Sequence, residues 1–195
     1  MKKIIFVIPI LILVGLCSCE KKTTTTNADT TKVADTTLAI LKDMRDSTDK
    51  AWALMITSDD QKITDIMRLL QEISYCKKYN VILLDSLNNA VKTMKDKRYK
   101  QLTMTSSEID EYDNFTNLII ARVRYLGSTV QDIQEHPLAE SLFADIASAD
   151  NDVVRYRNLY DHFADEYNNY LETHKSQLGD KAKDFQKLAV FRLPS

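Results

Sequence analysis

The sequence predicts an all-α protein, an antiparallel bundle of four to five long helices with coiled-coil-like packing. Helix breakers are scarce: from Thr36 onward there are two glycines, Gly127 and Gly179, and two prolines, Pro137 and Pro194. Apolar residues recur at steps of three and four in several long stretches, the spacing of helices packed nearly parallel or antiparallel. Strand-like alternation is almost missing. A chain of 195 residues suits a single such domain.

The first element is a leader. Lys2 and Lys3 precede an apolar run from Ile4 to Leu16, and then come Cys17, Ser18 and Cys19. A spanning helix needs about 20 apolar residues, so this shorter run reads as a secretion signal. Leu16-Cys17-Ser18-Cys19 is similar to a bacterial lipobox with Ser18 in the small position. Residues 1–18 are therefore expected to be a lipoprotein signal peptide, and Cys19 the acylated residue that anchors the chain to a membrane. Each buried methylene of the acyl chains adds about 0.8 kcal/mol, so a multiply acylated, palmitate-type anchor is expected to hold stably.

Residues 19–35 read as a lipid-anchored flexible tether, because "EKKTTTTNADTTKVAD" is polar and threonine-rich without periodicity. Such a chain spans roughly 20–25 Å. Glu20 follows the anchor cysteine where some bacteria read an aspartate as an inner-membrane retention signal. The expected location is the cell envelope, at the outer membrane. Loss of Lys2 and Lys3 from the 26 basic residues leaves 24 against 28 acidic ones. That balance offers no electrostatic pull towards nucleic acid.

Residues 36–195 form the body. Leu38, Leu41, Met44, Trp52 and Met55 suggest a first helix, with Ser58 and Gln61 as a second capping box and a kink expected near Thr57 to Asp59. Ile66, Leu69, Ile73, Cys76, Asn80, Leu83, Leu87, Ala90 and Met94 keep the alternation, with an interruption around Lys77 to Asn80. "KDKRYKQLTM", residues 95–104, reads as a loop. Thr105 and Glu108 form a capping box that opens the clearest helix, along Ile109, Tyr112, Thr116, Ile119, Val123, Leu126, Val130 and Ile133. It is expected to run to about Glu135, where Pro137 restricts His136. Pro137 then fits the first turn of a last long helix of about 37 residues, roughly 55 Å. Its seam is Ala139, Leu142, Ile146, Ala149, Val153, Tyr156, Tyr160, Phe163, Tyr167, Tyr170 and His174, and Gly179 closes it. A short final helix is expected to cover one end of the bundle with Phe185, Leu188 and Phe191.

The segment "DNDVVRYRNLYDHFADEYNNYL", Asp150 to Leu171, resembles the signature region of the LemA family. The matching positions are Asp150, Asn151, Val153, Arg157, Tyr160, Tyr167 and Asn168, in register without a gap. Weaker echoes lie in "AWALMITSDDQKITDIMRLLQEI" and "KLAVFRL". Two features depart from the family pattern: the Phe-Pro that usually follows the Tyr-Asn helix is replaced near His174 and Lys175, and a lipoprotein signal stands where members carry a membrane helix. The resemblance implies an envelope-anchored antiparallel bundle and says little about activity.

No reaction centre is legible. The chain has three histidines and no Glu-x-x-His, the motif of di-iron bundles. His162 and Glu166 lie four apart but off the seam, as a solvated ion pair does. Glu135, His136 and Glu140 form no recognisable ligand set, and His174 suits a partly buried or capping position. Cys76, among apolar residues, reads as a buried spectator. The expectation is thus no enzyme, no cofactor, no metal and no small-molecule substrate, with an envelope protein as partner through helix faces. A metal-handling bundle using His162 and Glu166, and a structural or stress-related lipoprotein, are the alternatives. The tyrosine row from Tyr156 to Tyr170 suits a core seam, with hydroxyls reaching water or partners such as Asn80, better than a peptide-accepting groove; Arg157 and Asn168 flank it and are placed to orient the hydroxyls.

Overall fold

The computed structural model describes residues 26–191, all of them helical, turn or irregular, with no strand among them. Five α-helices follow in order: α1 (Thr26–Tyr75), α2 (Val81–Lys92), α3 (Met94–Lys97), α4 (Ser106–Ser128) and α5 (Pro137–Leu178). Two 3₁₀ turns, Ile133–Glu135 and Gly179–Asp184, flank α5. The expected all-α antiparallel bundle is what the chain forms. The segment expected to be a signal peptide, and Cys19, lie outside the described residues.

Helix α1 contains no glycine or proline in its 50 residues, which carry it about 75 Å. Neither the expected kink near Thr57 to Asp59 nor the Ser58 capping box occurs. Gln61 turns to Asp65 instead, at 2.9 Å, and Asp59 is used in tertiary pairing. The helix also begins ten residues before the expected boundary, since residues 26–35 belong to it rather than to a flexible tether. Extending an existing helix is far cheaper than nucleating one. Threonine hydroxyls such as those of Thr36 and Thr48 satisfy themselves on carbonyls four residues back and do not disrupt the ladder.

Helices α1 and α5 run antiparallel along each other. Thr37 meets Gln177, the Arg45 guanidinium lies over Tyr167, Trp52 packs edge-on to Tyr160, Lys62 reaches Asp150 and Glu72 reaches His136. Each pair steps back along α5 by about as many residues as it advances along α1. Helix α2 returns beside the C-terminal half of α1, bringing Lys95 and Arg98 to Asp60. Helix α4 then runs parallel to that half of α1, from Tyr112 at Asp59 to Asp132 at Lys77. The result is an up-down-up-down four-helix head. Beyond it, the N-terminal half of α1 and the C-terminal half of α5 continue as a two-helix stalk.

Local chemistry explains the boundaries. Asn80 is not on the seam; it is the N-cap of α2, its side chain accepting from the Leu83 amide at 3.0 Å. The Thr105 and Glu108 capping box forms as expected. Helix α4 stops at Ser128, short of Glu135, because Thr129 closes it with amide and hydroxyl bonds to Leu126 and neighbouring carbonyls. Val130 nevertheless stays buried and Ile133 packs on the same core from the 3₁₀ turn. Gly127 sits where the Phe143 ring would collide with any Cβ. Pro137 opens α5, and Gly179, at φ +57°, ends it.

Two apolar cores result. The head core joins Ile66, Leu69, Leu70 and Ile73 with Leu87, Met94, Ile119, Leu126 and Leu142. The stalk core joins Leu41 and Met55 with Tyr99, Tyr112, Tyr160, Tyr167, Leu171 and Leu188, and Trp52 and Phe191 pack against it. Each fully buried aliphatic side chain contributes about 1.5–3 kcal/mol. The buried stripe of α5 drifts by one position from the expected seam, passing through Ala164 and Leu171 while Phe163 and Tyr170 are only half-buried. A straight helix slips about 20° per heptad against a seven-residue repeat, and this is that slip.

The last segment is not a closing helix. After the 3₁₀ turn, residues 185–191 leave the helical state, with Phe185 in extended backbone. They lie as a strap along the stalk, with Leu188 buried.

Candidate functional site: a polar layer between two cores

The two cores meet at a layer of charge. Helix α1 supplies Asp59, Asp60 and Lys62, the segment after α3 supplies Arg98 and Tyr99, α4 supplies Tyr112, Asp113 and Thr116, and α5 supplies Asp150 and Arg157. All of these side chains except Asp60 line a chamber of about 140 Å³, together with Val153 and Tyr156.

Arg157 donates two bonds to the Asp113 carboxylate, at 2.7 and 2.6 Å, and a third to the Tyr99 hydroxyl at 3.1 Å. Its guanidinium also lies 4.9 Å from the Phe191 ring centroid. Arg98 bridges Asp59 and Asp60, both at 2.6 Å, and the Tyr112 hydroxyl donates to Asp59. Lys62, only 3% exposed, stands 3.3 Å from Asp59 and 3.7 Å from Asp150. A buried cation survives at such a site because carboxylates replace its water.

The electrostatics favour binding over proton transfer. Burial opposes the charge of Arg157 and Arg98, but the carboxylates bonded to them more than compensate and raise both above the ordinary arginine value. Burial, and then the charge of Asp59, pushes the Tyr112 hydroxyl well above the tyrosine range. None of these three groups exchanges a proton near neutral pH. Three buried polar atoms at the layer, Thr116 Oγ1, Arg98 Nε and Arg157 Nε, have no hydrogen-bond partner among the described residues. All three can donate, and all three belong to residues that line the chamber.

Six of the seven motif residues divide between two tasks. Asp150, Val153 and Arg157 face the chamber. Tyr160, Tyr167 and Asn168 hold the strap: the Tyr160 hydroxyl donates to the Ala189 carbonyl at 3.0 Å and that of Tyr167 to the Gln186 carbonyl at 3.2 Å. Asn168 acts as a surrogate strand, donating to the Leu188 carbonyl at 2.9 Å and accepting from the Leu188 amide at 2.8 Å. Asn151 is exposed. Within the tyrosine row, Tyr160 and Tyr167 are core, as expected, whereas Tyr156 and Tyr170 are half-buried; the two core hydroxyls meet the chain's own strap and not Asn80. Arg157 orients Tyr99 instead of a tyrosine of its own helix.

Asp161 adds a buried carboxylate that accepts from the Phe191 amide at 2.8 Å. His162 and Glu166 form an exposed pair at 3.6 Å. His174 stacks on Tyr170, with ring centroids 4.0 Å apart, and its Nδ1 lies 3.0 Å from the Tyr170 carbonyl.

Sequence reading missed Arg98, Tyr99, Asp59 and Asp113. The first two sit in a stretch expected to be a plain loop, and the aspartates carry no periodic signal. The one available hint was an arginine beside a tyrosine in a segment otherwise suited to solvent. Compared with known protein families, curated proteins and solved structures, the chain finds no match.

Proposed function

We propose that the protein is a lipid-anchored bacterial envelope protein of LemA-like type, a non-catalytic helical scaffold that presents its head to another envelope protein. The anchor is Cys19, and the location is the outer membrane. The observation that carries this reading is the position of exposed apolar side chains relative to the start of α1. Tyr75, Val81 and Ile82 cluster at the turn between α1 and α2, and Ile82 is 84% exposed. That turn lies about 75 Å along α1 from Thr26, the end nearest Cys19. An anchored chain would hold this tip far from the bilayer, and Lys77 and Lys78 beside it suit a partner with an apolar centre and acidic rim.

The test places a photoreactive residue at Ile82, and separately at Val154 on the outer face of α5, in the full chain in intact cells. One recurrent envelope protein crosslinked from Ile82, and lost with Cys19→Ala, supports the reading. Diffuse capture of abundant neighbours from both positions overturns it in favour of a structural lipoprotein.

A second reading rests on the chamber. Its partnerless donors favour a small polar ligand, bound at the layer without chemistry. Stabilisation of the full chain by a zwitterionic or carboxylated metabolite, abolished by Arg157→Lys, would carry that reading instead.

A further inference from the structure

Cys76 meets two side chains far from it in sequence, Asp132 and His136, at the end of the head. Cys76 follows α1 directly, Asp132 lies in the segment after α4, and His136 precedes Pro137 at the start of α5. One ligating atom from each, the Cys76 sulfur, an Asp132 oxygen and a His136 ring nitrogen, lie within 4.8 Å of one another. Glu72, one helical turn before Cys76, places a carboxylate oxygen 3.6 Å from His136 Nδ1. We propose that these groups form a site for a divalent transition-metal ion of the zinc class, with Cys76, Asp132 and His136 as ligands and Glu72 as fourth ligand or as the partner that orients His136.

The donor set decides the metal class. Thiolate and imidazole select a borderline-soft ion, whereas calcium and magnesium take oxygen donors. Zinc sites combine sulfur, nitrogen and carboxylate oxygen tetrahedrally, with bonds of about 2.0–2.3 Å, so neighbouring donors stand roughly 3.3–3.8 Å apart. Closing from the present spacing needs movements of about 1 Å, well within side-chain rotation. All three ligands lie in two short connections, α1 to α2 and α4 to α5, whose geometry a metal would fix.

The surroundings favour a cation over a reactive thiol. Cys76 is 6% exposed, with an Asp132 carboxylate oxygen within 4.8 Å of its sulfur and the Glu72 carboxylate beside the adjoining His136. A nucleophilic cysteine needs the reverse, a cationic neighbourhood. Negative charge converging on a buried sulfur is what a dication neutralises, displacing the thiol proton to solvent. Asp132 already accepts from the Lys77 amide at 2.9 Å, which fixes one oxygen and leaves the other to bind. Bound metal would tie the end of α1 to the connection between α4 and α5. The inference is independent of the proposed partner and of the chamber.

The test uses the full chain in detergent, stripped with chelator and carrying Cys17→Ser and Cys19→Ser, so that Cys76 is its one thiol. Zinc titration is expected to give one ion per chain and a raised Tm. Cobalt in its place is expected to show a thiolate-to-metal charge-transfer band. Cys76→Ser should abolish the band, and His136→Gln, a half-exposed change that leaves the fold intact by circular dichroism, should weaken binding by more than the roughly 10–100-fold expected of an outer-partner loss. His162→Gln should change nothing. Absence of stoichiometric binding, or binding of unchanged strength in His136→Gln, overturns the proposal.

Discussion

The two cores of this bundle are built from different chemistry. The head is aliphatic, with leucine, isoleucine and valine from four helices around Leu69, Leu126 and Leu142. The stalk is two long helices, met only at its head end by the start of α4 and the segment before it, and two helices alone cannot enclose a core. It completes itself with aromatic rings and a strap: Trp52, Tyr99, Tyr160 and Phe191 form a contiguous ring cluster, with centroids 5.3 to 6.3 Å apart. Tyrosine suits this because its ring adds buried area while its hydroxyl satisfies the backbone of an irregular strap. Where helix count falls, side chains with a polar end take over the enclosing role.

Removing the strap tests this difference most severely. A chain ending after Asp184 loses five hydrogen bonds to α5 and the burial of Leu188 and Phe191. At about 1.5–3 kcal/mol for each apolar side chain, the stalk should open. Trp52, the single tryptophan, reports that core alone. We expect its fluorescence to shift to the red while hydrogen exchange at head positions such as Leu126 stays slow. Simultaneous loss of head protection would show that the two cores form one cooperative unit.

The layer between the cores supplies the next test. Arg157→Ala strands the Asp113 carboxylate and withdraws the guanidinium from Tyr99 and Phe191. Removing one partner of a fully buried pair costs about 3–5 kcal/mol, but Asp113 is partly exposed, so roughly 2–3 kcal/mol is expected. Urea denaturation followed by both circular dichroism and Trp52 fluorescence measures it. A loss below about 0.5 kcal/mol would mean that the layer separates the cores without joining them.

How far these features were legible follows from their range along the chain. The capping box at Thr105, the first-turn Pro137 and the terminal Gly179 are local and could be read directly. The end of α4 could not, because Val130 and Ile133 keep the α-helical spacing through a segment that is irregular and then 3₁₀. The strap was mistaken for a helix because Phe185, Leu188 and Phe191 have helical spacing, and only the hydroxyls of Tyr160 and Tyr167 and the amide of Asn168 reveal that an extended backbone is wanted there. Arg98 with Asp59, and Cys76 with Asp132 and His136, unite residues dozens of positions apart, and a single sequence carries no mark of such meetings. The motif helix drew attention to Arg157 and Asn168 while concealing that they serve separate tasks.

Alkali should distinguish the cores again, with a smaller effect. Burial, opposed by Gln101 and Arg45, pushes the Tyr160 hydroxyl up to about 12, and burial also raises Tyr99 and Tyr167. A tyrosine whose pKa is higher in the fold than in the unfolded chain binds more protons when folded. Its stabilisation is complete below about pH 10 and is lost as pH rises towards 12. We expect Tyr160 alone to cost the stalk roughly 1–2 kcal/mol by about pH 11.5, measured as a fall in the urea midpoint of Trp52 fluorescence. Tyr160→Phe should flatten that slope. An unchanged slope would assign alkaline sensitivity to another group.

The smallest expected effect concerns whether the layer is purely structural. Thr116 is 3% exposed and its hydroxyl has no partner among the described residues. A buried hydroxyl without a partner costs about 1–3 kcal/mol, and valine has nearly the same shape. Thr116→Val should therefore stabilise the chain by about 1 kcal/mol, read as a raised urea midpoint with unchanged slope. Destabilisation would reverse the meaning of the chamber. It would show that the hydroxyl is satisfied in solution by water or a small polar ligand held against Arg98 and Arg157, which makes the layer a binding site and not merely a seam between two cores.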